Sequence, residues 1–300
     1  MDYVLGFDGG GTKTECVLMN AAGKILARGI SGPSNPFRVG VESATREIVK
    51  AADICLQEAG VARSEVAAIG AGLAGTGKAE LKEGMRTALA AAFPGAAIKI
   101  FTDLETALAG AGEGPVIVLV AGTGSAAIGR NAQGEVWRTG GYGPGISDDG
   151  SAFDIGSRAV ARAMKEREQL GTDSNLGIKI LEQFECASWK ELQERVALDA
   201  DKVFPAIFPV VAAAADAGDL AAQEILIHAV GELSSLVNTV AEHSGLVGEN
   251  TMIVKTGGMV GRSAFFDGQL DEALRRVLPQ AKIERLRMAP AEAAARAARD

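Results

Sequence analysis

The chain has 300 residues, which at roughly 150 residues per domain predicts two domains and a core large enough for an enzyme. Its 30 Lys and Arg against 38 Asp and Glu give a net charge of −8, which excludes the broad basic surface of a non-specific nucleic-acid-binding protein. A hydrophobic content of 47% excludes an intrinsically disordered chain.

The first part of the chain alternates strands with helices, which predicts an α/β layer structure. Ala44, Ile48, Ala51 and Cys55 recur at helical spacing and predict a helix with one apolar stripe. Strands are expected at residues 3–7, 15–19, 24–28, 66–72 and 98–102, and helices at residues 79–92 and directly after Asp103.

A second block begins at Pro115 with a continuous apolar run that is typical of a buried strand. This block is more helical, with a long amphipathic helix expected at residues 219–244. A strand at 252–256, a helix at about 266–278, a strand at 283–286 and a last Ala-rich helix complete the predicted order.

The two blocks contain an internal repeat. Residues 11–25 (GTKTECVLMNAAGKI) align without a gap with residues 122–136 (GTGSAAIGRNAQGEV), at an offset of 111 and with five identities in fifteen. The repeat predicts two copies of one unit: strand, Gly-Thr turn, strand, Asn-x-x-Gly turn, strand. Duplicated α/β halves commonly bind a ligand in the cleft that they form.

Two Gly-Thr loops occupy matching positions of this repeat: residues 9–13 and residues 122–125. Consecutive glycines let backbone N–H groups approach an anion, and hydroxyls add donors, so the pair predicts a two-sided phosphate clamp. Either loop alone is equally typical of an ordinary hairpin turn. Asp8 has no counterpart, because the offset places Leu119 there, and a lone carboxylate beside a phosphate loop suits hydrated Mg²⁺.

A third Gly-rich segment, GLAGTGKA at residues 72–79, matches the P-loop pattern except at its last position. A P-loop needs Ser or Thr there to bind Mg²⁺, and Ala79 has no side-chain oxygen. The segment therefore favours a strand-to-helix turn, with Lys78 a solvated residue at the helix start.

Carboxylates supply the candidate catalytic groups. Asp103 directly follows a predicted strand, where α/β sheets place ligands, and Asp148 and Asp149 lie in a Gly-rich loop before a helix. The alternative for each is a helix N-cap, an alternative strongest for Asp149. His228 and His243 lie on a predicted helix surface and are not expected to be catalytic.

Cysteine content and apolar segments indicate a cytoplasmic protein. Three widely spaced cysteines, Cys16, Cys55 and Cys186, form no CxxC pair and predict neither a zinc site nor a disulfide framework. Residues 203–215 are apolar but contain two prolines and are too short to span a bilayer. The sequence shows no secretion signal, and we expect no membrane partner.

The motifs DGGGTKTE, SGPSN, TD before a helix, AGTGS, GGYG…SDDGSA and TGGM together resemble the BadF/BadG/BcrA/BcrD-type ATPase family over nearly the whole chain. Within that family they look most like the N-acetylglucosamine and glucosamine kinases of the sugar kinase/Hsp70/actin superfamily. The resemblance implies two ribonuclease-H-like (actin/hexokinase-type) α/β domains with an interdomain ATP cleft. It places the first domain at residues 1–113, completed by a helix at 288–300, and the second at residues 114–287.

The resemblance also implies roles for individual residues. Asp8 would lie near Mg²⁺, and Asp103 would be the catalytic base. The phosphates and adenosine of ATP would contact Gly10, Gly11, Thr12, Lys13, Gly122, Thr123, Gly124, Ser125, Gly257 and Gly258. The sugar would contact Asn35, Asp103, Thr123, Gly141, Tyr142, Gly143 and Asp148.

The implied activity is ATP-dependent phosphorylation of an amino sugar, N-acetylglucosamine or glucosamine, at its 6-hydroxyl, by a homodimer. Tyr142 stands where the family often has Trp, and Pro36 where it often has a polar residue, so the sugar is left open. The terminal helix begins PAEAAA instead of the usual Gly-Ala. The alternatives are a reductase-activating ATPase and a non-catalytic sugar sensor. The iron–sulfur cluster of such an ATPase needs thiolate ligands, and the three cysteines form no plausible pair to supply them.

Overall fold

The computed structural model describes residues 3–299. Within these, the chain divides into two compact units. The first runs as far as Glu113 and is completed by the segment that begins at Leu286; the second is Gly114–Arg285.

Each unit contains one five-stranded sheet. The strands are β1 (Tyr3–Gly9), β2 (Thr14–Met19), β3 (Ile25–Ser31), β4 (Val66–Leu73), β5 (Ala97–Phe101), β6 (Val116–Ala121), β7 (Ser125–Arg130), β8 (Val136–Gly140), β9 (Met252–Thr256) and β10 (Lys282–Arg285). The helices are α1 (Pro36–Val39), α2 (Val41–Ala59), α3 (Ala79–Ala92), α4 (Asp103–Gly110), α5 (Ala152–Leu170), α6 (Asn175–Gln183), α7 (Trp189–Val203), α8 (Phe208–Asp216), α9 (Leu220–His243), α10 (Ala264–Val277) and α11 (Pro290–Arg299), with 3₁₀ turns at Arg63–Glu65 and Pro205–Ile207.

The two sheets have the same strand order. It is β3-β2-β1-β4-β5 in the first unit and β8-β7-β6-β9-β10 in the second. In each, three strands form an antiparallel meander, and the last two strands run parallel to the first. The carboxyl ends of the parallel strands therefore meet at one edge of each sheet, where α/β folds place their ligands.

The internal repeat is visible in the hydrogen bonds of its Asn-x-x-Gly turns. Oδ1 of Asn20 accepts from the backbone N–H groups two and four residues later, at 3.1 and 3.0 Å. Oδ1 of Asn131 does the same at 3.0 and 2.9 Å. Gly23 and Gly134 close the two turns with φ of 79° and 83°, a conformation that favours glycine.

The two hairpins that precede these turns, one in each unit, differ in length by one residue. Glu15 pairs with Asp8 across the first hairpin, and Ala126, which matches Glu15 in the repeat, pairs with Val120 across the second. The counterpart of Asp8 is thus Val120. The expectation of Leu119 was wrong because the gapless offset of 111 holds only from the loop onward. Val120, like Leu119, is not acidic, so the carboxylate of Asp8 is particular to the first unit.

The first sheet is covered on both faces. Helices α2 and α3 bury one face with side chains such as Ile48 and Leu89. The other face carries α11, whose alanines pack onto β1 and β4. A Cβ on Gly70 would lie 1.9 Å from the carbonyl oxygen of Ala294, so glycine is needed there for this close approach.

The core of the second unit forms where α5, α8, α9 and α10 pack together with the sheet. Helix α9 is long and apolar enough, by length and composition, to cross a membrane. Its apolar face, with Leu226, Leu233 and Val237, is fully buried against the sheet and the neighbouring helices. Packing of this kind is what the core helix of an α/β unit requires.

Candidate active site

In the first unit, the predicted site residues collect where β1, β3 and β5 end. The backbone carbonyl of Gly10 accepts hydrogen bonds from the N–H groups of Ser34 and Asn35 at 3.0 and 3.1 Å. The first Gly-Thr loop (residues 9–13) is thereby tied to the segment that carries the predicted sugar contact. Asp103 lies close enough to Asp8 to affect its titration. The structure thus brings together all the candidates predicted for this unit.

The first Gly-Thr loop is a tight hairpin turn that leaves its centre exposed. Gly10 donates its N–H to the carbonyl of Lys13 at 3.1 Å, and Gly11 and Thr12 are open to solvent. Lys13 forms an ion pair with Glu15. The buried hydroxyl of Thr14 donates to the carbonyl of Gly32 at 2.7 Å and fixes the end of the turn.

Asp8 carries negative charge that the surrounding protein does not balance. Burial raises the pKa of Asp8, and the neighbouring charges of Glu15 and Asp103 raise it further, while Lys13 offsets part of this effect. A cation would be stabilised at this carboxylate for the same electrostatic reason.

Asp103 is the first residue of α4, and its side chain is exposed. Its Oδ1 accepts from the N–H of Leu104 at 3.0 Å. The N-cap is Thr102, whose hydroxyl accepts from the N–H of Glu105 at 3.1 Å, so the alternative that Asp103 caps the helix is wrong. The carboxylate of Asp103 is therefore available to a ligand.

Glu105 completes the cap of α4 by accepting from the N–H of Thr102 at 2.7 Å. It also forms an ion pair with Lys82 at 3.0 Å. Burial alone would raise the pKa of Glu105, but the hydrogen bonds from Thr102 and Lys82 outweigh burial and hold the pKa below its ordinary value.

The P-loop-like segment is a packed strand-to-helix turn. The hydroxyl of Thr76 is buried and donates to the carbonyl of Leu73 at 2.6 Å. Gly75 has a φ of 85°, and a Cβ there would lie 2.2 Å from Oδ1 of Asn35. The turn thus packs against the side chain of Asn35, the predicted sugar contact.

In the second unit, the Gly-Thr loop at residues 122–125 packs against the acidic segment before α5. The N–H of Ser125 donates to Oδ1 of Asp148 at 3.3 Å, and its hydroxyl donates to the carbonyl of Asp149 at 2.7 Å. A Cβ on Gly124 would lie 2.9 Å from the carboxylate of Asp148, so glycine allows this contact. Burial raises the pKa of Asp148, the hydrogen bond from Ser125 lowers it in part, and Asp149 raises it.

Neither Asp148 nor Asp149 caps α5. The N-cap is Ser151, whose hydroxyl accepts from the N–H of Asp154 at 3.2 Å. The N-cap alternative for both aspartates is therefore wrong. Asp148 is only 8% exposed, and it lies directly beside the second Gly-Thr loop.

The predicted sugar-contact segment of the second unit follows β8. Gly141 and Gly143 have φ of 73° and 101°, which makes this a sharp turn that needs glycine. The ring of Tyr142 is 59% exposed and lies 5.1 Å from the guanidinium of Arg138. A large aromatic ring is thus presented to solvent at the same sheet edge as the second Gly-Thr loop.

A cavity of about 550 Å³ opens beside the second Gly-Thr loop, within the size range of small-molecule sites. A Cβ on Gly257 would lie 2.2 Å from the carbonyl of Ala121, so glycine lets this turn approach the end of β6. The cavity is lined by Gly122, Thr123, Ala152, Pro205, Phe208, Pro209, Ala213, Asp216, Gly258, Met259 and Arg262. Sequence reasoning found Gly122, Thr123 and Gly258 but missed the rest. The sequence feature that could have pointed to Pro205 and Pro209 is the apolar stretch at residues 203–215, which contains both prolines.

Cys16 and Cys55 are neighbours in the structure, a proximity that their wide spacing in the sequence did not indicate. The thiol of Cys55 donates to the carbonyl of Cys16 at 3.5 Å, and both are buried and free. Burial raises the pKa of the Cys16 thiol well above its ordinary value. Across residues 3–299, no group of three or more His, Cys, Asp or Glu side chains is arranged to hold a metal ion.

Comparison with known proteins decides the family. The sequence model of the BadF/BadG/BcrA/BcrD ATPase family matches residues 5–298. The chain belongs to this family. The family resemblance and the α/β fold of the actin/hexokinase type predicted from the sequence are confirmed.

Curated relatives of this family member are amino sugar kinases. The chain is 31% identical over 294 residues to the N-acetylmuramic acid/N-acetylglucosamine kinase of Clostridium acetobutylicum, covering 94% of each chain. It is 27% identical over 297 residues to the N-acetyl-D-glucosamine kinase of Dictyostelium discoideum, covering 94% of this chain and 93% of that one.

Solved structures show the same fold. A protein from Chromobacterium violaceum, assigned as an N-acetylglucosamine kinase, has a TM-score of 0.76 at 23% identity over 97% of both chains. A glucokinase from Streptomyces griseus, in complex with glucose and AMPPNP, has a TM-score of 0.59 at 17% identity over 99% of both chains.

Proposed function

We propose that this protein transfers the terminal phosphoryl group of ATP to the 6-hydroxyl of an amino sugar, N-acetylglucosamine or glucosamine. One observation carries the proposal: the exposed carboxylate of Asp103 lies at the same sheet edge as the first Gly-Thr loop and Asn35. The proposal is supported by the amino sugar kinases among the relatives.

In phosphoryl transfer, the protein mainly aligns the reacting groups and neutralises phosphate charge, and it does little covalent chemistry itself. Each Gly-Thr loop offers backbone N–H groups and hydroxyls that would bind phosphate oxygens. Asp103 accepts the proton of the attacking hydroxyl as its oxygen forms the new bond to phosphorus, and the bond to the leaving oxygen of ADP breaks. We assign the proton-accepting role to Asp103 because its carboxylate is exposed.

Each unit contains residues that could contact a sugar. Oδ1 of Asn35 caps α1, so its NH₂ group is the part that can donate to a hydroxyl. Asp148 would accept from a sugar hydroxyl, and Gly141, Tyr142 and Gly143 would line the ring. Thr123 would contact both the sugar and the phosphates.

The nucleoside of ATP fits the cavity beside the second Gly-Thr loop. Its wall is mostly apolar, with Phe208 and Met259, and Asp216 and Arg262 provide polar groups for a ribose or base. Gly257 and Gly258 form the turn at which the backbone would approach the adenosine.

Mg²⁺ fits the donor set at Asp8. A single carboxylate whose pKa is raised by burial and by neighbouring acids is stabilised by a cation, and Mg²⁺ is commonly held by one carboxylate, water and phosphate oxygens. When bound with ATP, the ion would neutralise phosphate charge. Asp8 would orient its water shell.

The test is a coupled ADP-release assay of the purified protein with ATP, Mg²⁺ and a panel of hexoses and amino sugars. ADP release that depends on N-acetylglucosamine or glucosamine supports the proposal. ADP release without sugar, from a protein that contains iron, would favour the reductase-activating ATPase. Sugar binding without ADP release would favour the sensor.

We also propose that the protein is a cytoplasmic homodimer. The family resemblance supports this state. Light scattering after size-exclusion chromatography is expected to give twice the mass of the 300-residue chain. A monomer mass at micromolar concentration would contradict it.

A further inference from the structure

An arginine lies against the first Gly-Thr loop. Arg38 is in α1, and its Nη1 is 3.4 Å from the position that a Cβ on Gly11 would occupy. The guanidinium carbon lies 3.9 Å from the same position. The guanidinium thus lies within van der Waals distance of the point at which a side chain of the loop would begin.

The position of Arg38 is set by hydrogen bonds that connect α1 to the loop. Oδ1 of Asn35 accepts from the N–H of Arg38 at 3.3 Å and from that of Phe37 at 3.0 Å. The N–H of Asn35 in turn donates to the carbonyl of Gly10 at 3.1 Å. Asn35 therefore links the backbone of Arg38 to the loop, since it accepts from Arg38 and donates to Gly10.

The charge of Arg38 is available to a ligand. Lys13, the cation within the loop, is paired with Glu15. In the part of the chain from residue 3 to residue 299, no carboxylate forms a salt bridge with Arg38, whose side chain is exposed. A guanidinium with its N–H groups open to solvent beside a Gly-rich loop suits an incoming phosphate, which it can bind with two parallel hydrogen bonds.

We propose that Arg38 binds the terminal phosphoryl group of ATP and neutralises its charge during transfer. The proposal rests on the proposed function. As the sugar oxygen bonds to phosphorus, its proton passes to Asp103 and the bond to ADP breaks, so negative charge shifts among oxygens that Arg38 contacts. A guanidinium aimed at such oxygens stabilises the transition state more than the bound ground state.

The experiment compares nucleotides with and without the terminal phosphate. In calorimetric titrations of Arg38→Gln, we expect the Kd of AMPPNP to rise about tenfold or more, while the Kd of ADP changes less than twofold. Loss of one such donor group is expected to lower kcat about 10²–10³-fold. Arg38→Lys keeps the charge but not the planar fork, and we expect an intermediate Kd for AMPPNP.

Arg46→Gln is the matched control, since Arg46 is an exposed arginine of α2 that pairs with Glu42. It is expected to leave both Kd values and kcat unchanged. Equal weakening of AMPPNP and ADP, or an unchanged kcat in Arg38→Gln, would overturn the role of Arg38. If Arg38→Gln does not fold, Arg38→Lys decides, and a wild-type Kd for AMPPNP in that variant would reject the forked contact.

The two proposals fail in different ways. A wild-type protein that binds AMPPNP but phosphorylates no sugar would reject the proposed function. The difference between AMPPNP and ADP affinity would still test Arg38. Active wild-type protein whose Arg38→Gln variant keeps the AMPPNP preference would reject only the role of Arg38.

Discussion

The substitution Asp103→Asn separates the proton-accepting role that we propose for this residue from its structural one. The side chain is exposed and makes one backbone hydrogen bond, with the N–H of Leu104 at 3.0 Å. The amide oxygen of Asn can accept the same bond. The remaining structural cost is the interaction of a charge with the helix dipole, about 0.3–1 kcal/mol, and Glu105 keeps an acid in the same turn.

The expected cost to catalysis is much larger. Asn cannot take the proton of the attacking hydroxyl, and general-base assistance is typically worth about 10²–10⁴-fold. At about 1.36 kcal/mol per tenfold change, kcat is expected to fall by the equivalent of about 2.7–5.4 kcal/mol. The sugar KM is expected to change less, because Asn can still hydrogen-bond a hydroxyl.

The assay is steady-state ADP release at saturating ATP, accompanied by urea unfolding of each variant. Glu80→Gln is the matched control, since Glu80 is an exposed acid in the first turn of α3, which follows the neighbouring strand. It is expected to leave kcat unchanged. Full kcat in folded Asp103→Asn would refute the assignment of the catalytic base, and so would an equal loss in Glu80→Gln.

Three further outcomes are expected. Gly75→Ala places a Cβ 2.2 Å from Oδ1 of Asn35 at a φ of 85°, so the sugar KM is expected to rise about tenfold, measured by steady-state kinetics. Gly70→Ala pushes a Cβ onto the carbonyl of Ala294 and is expected to cost about 1–3 kcal/mol or more of unfolding free energy, measured in urea. The pKa of Glu105 is lowered by folding, so this group stabilises the protein above its unfolded pKa of about 4.3 and loses the effect as pH falls through the folded pKa. The stability advantage of wild type over Glu105→Gln is therefore expected to be present at pH 7 and to shrink on acidification.

The chain offers a control for each of the two glycine substitutions. Gly77→Ala lies in the same turn as Gly75 but meets no atom within 4 Å, and it is expected to leave the sugar KM unchanged. Gly268→Ala, in α10, also meets none and is expected to be neutral or stabilising. An advantage over Glu105→Gln that stays constant from pH 7 to pH 3 would contradict the role given to Glu105.

Sequence reasoning predicted those parts of the fold that depend on local patterns. Strand and helix alternation predicted the α/β fold, since apolar periodicity and glycine positions are set by neighbouring residues. The repeat was detectable because Asn20 and Asn131 each fix a turn through their own backbone. The loops containing Gly11 and Gly124 were recognisable from their Gly-Thr motifs, and at Gly124 a Cβ would crowd the carboxylate of Asp148.

Other features depended on contacts that no local pattern reports. Asp103 and, more strongly, Asp149 were candidate N-caps by residue type, but Thr102 and Ser151 occupy those positions. Cys16 and Cys55 meet only because α2 packs on β2.

Apart from the helix expected directly after the Asp148–Asp149 loop, the helices between residues 152 and 216 were not predicted individually. One of them, α7, contains a kink at Asp199. The wall of the cavity beside the second Gly-Thr loop comes partly from this segment. The part of this segment in the cavity wall could not be predicted before the packing was known, since an apolar stretch predicts burial but not which residues surround it.

The place of α11 in the chain has a consequence for synthesis on the ribosome. The second unit, Gly114–Arg285, is one continuous stretch and is complete before α11 emerges. The first unit begins earlier, yet β1 and β4 have one face uncovered until the alanines of α11 arrive. During translation the order of maturation is therefore reversed: the portion made first is the last to acquire its full set of tertiary contacts.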